Sequence, residues 1–209
     1  MSLKTSIPEP LAGLAASGDT LAQEWIADHC RDQGLPDQAM GWYRQAAAGG
    51  SASAQYKLGW ACFHGRGGPI DSKRALYWWR KAAAQGMSGA VGAIGILHEN
   101  GHGVRRDAAR AAQYYREAAD AGDAAASWFL GRLYERGDGV PRDPALARLY
   151  LRRAAEQGHR SAQYSLAALP LADAGDGPPD EAVAWLRRRL TRRPRRSRAR
   201  PAATRCAGC

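Results

Sequence analysis

Three consecutive stretches of 36 residues align without a gap: SASAQYKLGWACFHGRGGPIDSKRALYWWRKAAAQG (51–86), MSGAVGAIGILHENGHGVRRDAARAAQYYREAADAG (87–122) and DAAASWFLGRLYERGDGVPRDPALARLYLRRAAEQG (123–158). Small and apolar residues keep their columns: Ala54/Ala90/Ala126, Leu58/Ile94/Leu130, Gly59/Gly95/Gly131, Ala75/Ala111/Ala147, Trp78/Tyr114/Tyr150 and Ala82/Ala118/Ala154. So do the turn formers: Gly65/Gly101/Gly137, Gly67/Gly103/Gly139, Asp71/Asp107/Asp143 and Gly86/Gly122/Gly158. A period of this length restricts the chain to a stacked array of one supersecondary unit, and it fixes which residues lie on helices and which on loops.

Each unit reads as two helices. In 51–86 the first runs from about Ala54 to His64, with Ala54, Leu58, Ala61 and Cys62 at i, i+4, i+7 and i+8 forming a core stripe. It stops at a G-x-G pair, where glycine turns the chain. Asp71, Asp107 and Asp143 then stand where a helix N-cap is wanted, and Pro144 takes the favoured first-turn position. The second helix carries Ala75, Trp78, Trp79, Ala82 and Ala83 at helical spacing and ends at Gly86. Alanine abundance favours close-packed helices over sheets, so the fold class is all-α.

One such hairpin cannot stand alone. Ordering it costs on the order of 54 kcal/mol at ~1.5 kcal/mol per residue, and two helices leave half of their apolar surface wet. Neighbouring units must cover each other. Weaker units flank the three central ones. Residues 18–50 match through Ala22/Ala54, Ile26/Leu58, Cys30/Cys62, Ala39/Ala75 and Trp42/Trp78 with a shortened loop. A degenerate unit at 159–190 keeps Ala162, Leu166 and Ala167, then Ala182, Trp185 and Leu186 after a one-residue deletion. The expected organisation is an N-terminal segment at 1–17 with a short capping helix in EPLAGLAA, a solenoid of about five units at 18–190, and an Arg-rich disordered tail at 191–209.

The A-x-x-x-[LI]-G of the first helix, the G-x-G-V-x-x-D loop at Gly101 to Asp107 and Gly137 to Asp143, and the Y-x-x-x-A-A-x-x-G of the second helix carry a resemblance to the Sel-one-like repeat family, a relative of the tetratricopeptide repeat. It covers roughly residues 18–190. The resemblance implies a right-handed α/α solenoid that binds other proteins. Some members of that family are secreted, carry a disulfide in each repeat and bind β-lactams; this chain lacks the paired cysteines, and the activity is not transferred.

Charge is unevenly placed. The net charge is +10, yet the ten Arg from residue 187 onward have no acid among them, and the remaining 20 Lys and Arg balance 20 Asp and Glu. The basicity belongs to the tail and not to the repeats. The N-terminus has Pro8, Glu9 and Pro10 before a short LAGLAA, which is no export signal, and no segment approaches the ~20 apolar residues of a membrane span. Cys30, Cys62, Cys206 and Cys209 form no disulfide framework, and the single C-x-x-C at Cys206 lacks the second pair that a structural zinc site needs. These features set the expectation of a cytoplasmic protein.

Three function classes compete. The stretch His98-Glu99-Asn100-Gly101-His102 spells H-E-x-x-H, a zinc-peptidase helix in which two histidines one turn apart hold the metal. The repeat register opposes that reading: His98 falls in a core column and should be buried, Gly101 should turn the chain, and His102 should face water. No convincing third ligand is offered either, Glu117 being a distant formal candidate. The tail supports attachment to nucleic acid or an anionic surface by charge. A reading-frame change in a G+C-rich message would give the same composition. The leading expectation is a non-catalytic interaction scaffold, with no cofactor, whose first helices line a concave face. Opposite the core stripe that face would present Tyr56, Trp60 and Phe63, then Ile96 and Glu99, then Trp128, Arg132 and Glu135, aromatic anchors with charged neighbours suited to a peptide or partner helix. The competing expectation is that Tyr56 and Trp128 pack against the preceding second helix.

Overall fold

The structure, a computed structural model, describes residues 8–168. Among these residues are ten helices and no strand: α1 (Glu9–Ala16), α2 (Thr20–Asp32), α3 (Pro36–Ala48), α4 (Ala52–His64), α5 (Ser72–Ala83), α6 (Ser88–Asn100), α7 (Ala108–Asp120), α8 (Ala124–Arg136), α9 (Pro144–Glu156) and α10 (Arg160–Ala168). The pairs α2/α3, α4/α5, α6/α7 and α8/α9 are hairpins, and each second helix also packs on the first helix of the next pair. The first helices α6 and α8 touch directly. This is an α/α solenoid of helical hairpins. Residues 169–209, which hold the second half of the last unit and the Arg-rich segment, lie outside the described residues.

Within a hairpin, a glycine of the first helix faces a large side chain of the second. A methyl group on Gly59 would lie 2.3 Å from Trp79 Nε1, one on Gly95 would lie 2.7 Å from the Tyr115 ring, and one on Gly131 would lie 2.8 Å from Leu151. Trp79, Tyr115 and Leu151 are fully buried as a result. The Trp78/Tyr114/Tyr150 column beside them is only half-buried. The conspicuous aromatic column therefore covers the hairpin, and its neighbour anchors it. Trp79 also donates Nε1–H to the Tyr56 carbonyl at 3.2 Å, so its one polar atom is satisfied inside the core.

Loops and caps follow the sequence pattern closely. Gly65, Gly101 and Gly137 take left-handed φ of 68°, 74° and 73° and close α4, α6 and α8. Asp71, Asp107 and Asp143 accept from the backbone amides of Arg74, Arg110 and Leu146 at 2.8–2.9 Å, capping α5, α7 and α9. First helices are capped by Asp19, Ser51 and Asp123. Helix α6 begins at Met87, which offers no acceptor.

Neighbouring units are joined by contacts that the motif does not announce. Gln23, Gln55 and Gln163 donate to the carbonyls of Ala15, Ala47 and Ala155 at 3.0–3.3 Å, tying α2, α4 and α10 to the end of the helix before each. Val91 and Ser127 hold the same column in units two and three. The second glycine of G-x-G provides another joint: a methyl on Gly139 would lie 2.3 Å from the backbone of Ala108, at the start of α7. Only glycine permits that approach at a φ of 73°.

Candidate interaction surface

The eight residues expected on the inner face occupy three columns of α4, α6 and α8: Tyr56/Gly92/Trp128, Trp60/Ile96/Arg132 and Phe63/Glu99/Glu135. None is fully buried, and Glu135 is exposed. The three aromatics of α4 form one cluster. Trp60 meets Tyr56 edge-on at 6.2 Å and Phe63 at 5.8 Å, stacks on His64 at 5.3 Å, and rests on the buried Trp79 at 5.1 Å. Phe63 reaches His102 of the next unit at 5.6 Å. The rings are held by one another and by the core, so little side-chain freedom is left to lose on binding.

Units two and three present a different chemistry. Ile96 packs, half-buried, against the core shared by units two and three. Glu99 accepts from the Tyr115 hydroxyl at 2.6 Å, and burial followed by that carboxylate pushes the Tyr115 phenol far above its ordinary range. Tyr115 in turn stacks on Phe129 at 5.0 Å. Arg132 lies 4.8 Å over the Trp128 ring, a cation–π pair. Trp128 donates to Ser165 of α10 at 3.2 Å and packs on His159 at 5.3 Å, while a methyl on Gly89 of α6 would lie 3.3 Å from the Tyr56 hydroxyl. Both aromatics thus lean onto the following unit.

The structure adds a charged end to these columns. With the shortened first loop, Glu24, Asp28 and Arg31 of α2 stand in the columns of Tyr56, Trp60 and Phe63. Asp28 accepts from Lys57 at 2.8 Å, from Arg31 at 2.6 Å and from the Tyr43 hydroxyl at 2.5 Å. Burial alone would raise its carboxyl, but hydrogen bonds from Lys57 and Tyr43 and the charges of Lys57 and Arg31 hold it below the usual range. Glu24 bonds Ser51, the cap of α4. The signal available in the sequence was the 32-residue offset between Ala22 and Ala54, which carries Trp60 back to Asp28.

The H-E-x-x-H stretch is split by its own helix end. His98 is on α6, buried and stacked on Tyr114 at 5.4 Å, and its Nδ1 has no hydrogen-bond partner among the described residues. Burial, then the charge of Arg110, lowers its pKa. α6 ends at Asn100, Gly101 is left-handed with its amide on the Leu97 carbonyl at 2.8 Å, and His102 is exposed in the loop. Two histidines separated by a left-handed residue do not share a helical face, so the metal geometry of that motif is not built. Glu117 is exposed on α7, and no group of three or more His, Cys, Asp or Glu among the described residues could hold an ion. No helix among the described residues is long and apolar enough to cross a membrane.

Comparison with known proteins agrees with this architecture. No curated relative matches the sequence. A Sel1 repeat protein from Oxalobacter formigenes is similar at 31% identity and a TM-score of 0.79, with 85% of this chain and 73% of that one covered. The protein c5321, described as a protective antigen of uropathogenic Escherichia coli with an SLR fold, is similar at 32% identity and a TM-score of 0.72; 87% of this chain is covered but only 40% of that one. An immunity protein, Pa5087 from Pseudomonas aeruginosa, shares the fold at 23% identity and a TM-score of 0.58, over 88% of this chain and 72% of that one. The Sel1 repeat itself matches at residues 30–51, 52–87, 90–123 and 124–159, more than half of the sequence, and the chain belongs to the Sel1 repeat family.

Proposed function

We propose that this chain is a non-catalytic adaptor that holds a peptide or partner helix of another protein along the inner face formed by α4, α6 and α8. Proteins of the Sel1 repeat family generally act as protein-interaction scaffolds. The observation that carries the reading is the half-buried Tyr56–Trp60–Phe63 cluster, fixed by Trp79 and followed in register by Ile96, Glu99 and the Trp128–Arg132 pair. Pre-ordered aromatics and an arginine beside acidic groups are the composition of binding hot spots. Direct contact between α6 and α8 supports an inner face made of first helices. Cys30 and Cys62 stand as free thiols, which suits a reducing cytoplasm.

Replacing Trp60 and Arg132 by Ala tests the surface. Each is partly exposed, so helical content should be retained while partner capture falls by about tenfold or more, the scale of a hot-spot truncation. Full recovery of every partner by the double variant refutes this face. A second reading rests on charge alone: ten Arg with no acid from residue 187 onward could attach the chain to nucleic acid or anionic lipid. Cutting after Leu190 should then remove salt-sensitive RNA or DNA binding, and its survival would acquit the tail.

A further inference from the structure

Units built on one template should close alike, and unit one does not. In units two and three the loop sets a valine, Val104 or Val140, half-buried against the core. In the same units His98 stacks on Tyr114 at 5.4 Å, and Tyr134 stacks on Tyr150 at 5.8 Å. Unit one has Gly68 in the valine column and Cys62 in the column of His98 and Tyr134. A valine is missing and a thiol stands in place of a ring, and a cleft of about 340 Å³ opens there.

Its walls divide by chemistry. Met40, Leu58, Ala61, Cys62 and Trp78 make an apolar floor. Arg44, Arg66 and Arg74 stand exposed at the rim, against a single acid, Asp71. That acid is already engaged: one oxygen caps α5 by accepting the Arg74 amide at 2.9 Å, and the other lies 3.5 Å from Arg74 Nε. Arg44 is steadied at the mouth by the Gly67 carbonyl at 3.4 Å. None of the eight inner-face residues lines the cleft.

We propose that this cleft binds a small apolar carboxylic acid, its body over Trp78 and Cys62 and its carboxylate at the mouth between Arg44 and Arg74. The volume is at the lower end for ligand sites, enough for one ring or one branched chain and not for a nucleotide. A bare inorganic anion would leave the floor wet, whereas an apolar body covers it and places the charge at the guanidinium groups, which pair with carboxylates in a planar, two-pronged geometry. A free acid and the C-terminal residue of a polypeptide share this chemistry.

Cys62 supplies the footprint, since it lines the cleft and is partly exposed while Cys30 is fully buried. The full chain is alkylated with iodoacetamide at alkaline pH, because burial and Asp71 push the Cys62 thiol up, and each cysteine is followed separately by peptide mass spectrometry. The probes are 3-phenylpropanoic acid, its neutral amide, and an acetylated peptide ending in Phe with a free carboxylate. The acid should slow Cys62 alkylation, the amide should need about tenfold more for equal protection, and Arg44→Gln with Arg74→Gln should raise the acid concentration required by a similar factor. Gly68→Val restores the missing plug: a Cβ there meets nothing within 4 Å and the backbone is not left-handed, so the fold should hold while the calorimetric signal of acid binding disappears. Whichever of free acid and peptide binds more tightly names the source. Equal protection by acid and amide, or undiminished binding to Gly68→Val, overturns the proposal.

Discussion

At the scale of single residues, the demands on each position come from what stands opposite it. Gly95→Ala pushes a methyl to 2.7 Å from the rigid Tyr115 ring, which is buried and bonded to Glu99, so neither side can give way cheaply. The expected loss is about 1–3 kcal/mol, read as a lower urea midpoint with unchanged slope. His98 makes a different prediction. Its folded pKa lies below the ordinary 6.5, so the unfolded chain binds the extra proton as pH falls. Stability is complete above about pH 6.5 and is lost as pH drops through that value toward the folded pKa. His159 is lowered too, by burial, and contributes in the same direction. His98→Tyr copies the Tyr134–Tyr150 stack of unit three and removes one titration, so urea midpoints at pH 7 and pH 5 should draw closer together than in the parent chain. The zinc-peptidase spelling and this titration concern the same histidine. Periodicity separated them, because a core column that also ends a helix leaves His98 inside and His102 in the loop.

At the scale of elements, the helices are set by their ends more than by their middles. Met87 starts α6 with extended backbone and no acceptor, where the equivalent first-helix positions carry Asp19, Ser51 and Asp123. Met87→Ser should stabilise by about 0.5–1 kcal/mol after the loss of methionine contacts, and Asp123→Ala should cost about 1 kcal/mol. Thermal unfolding of the two variants checks both directions. The element boundaries were legible because turn glycines and capping aspartates recur every 36 residues. Between elements the sequence was less explicit. Trp78 and Trp79 are adjacent and both fit a helical stripe, and only the void above Gly59 assigns Trp79 to the core and leaves Trp78 over a cleft.

At the scale of the whole molecule, stability belongs to the joints between units. Each unit contacts its neighbours alone, so coupling depends on a few local fits such as Gly103 against Ser72 and Gly139 against Ala108. Gly139→Val forces a branched side chain into a left-handed residue and onto the α7 backbone, and should uncouple unit three from unit two. Unfolding in urea is then expected to become broader, with a lower apparent slope, while a variant that keeps one sharp transition would show that the joint is not needed. The sequence by itself determined the period, the helix ends and the family, because these follow from local backbone requirements that repeat in register. Tertiary structure decided what the non-repeating positions do. Asp28 gathers Lys57, Arg31 and Tyr43 across two hairpins, Trp128 leans onto Ser165, and a missing side chain at Gly68 with only a small thiol at Cys62 leaves a cleft. A column shows that a residue differs from its counterparts; what fills the space it leaves depends on side chains from other helices, whose distance only the packed array fixes.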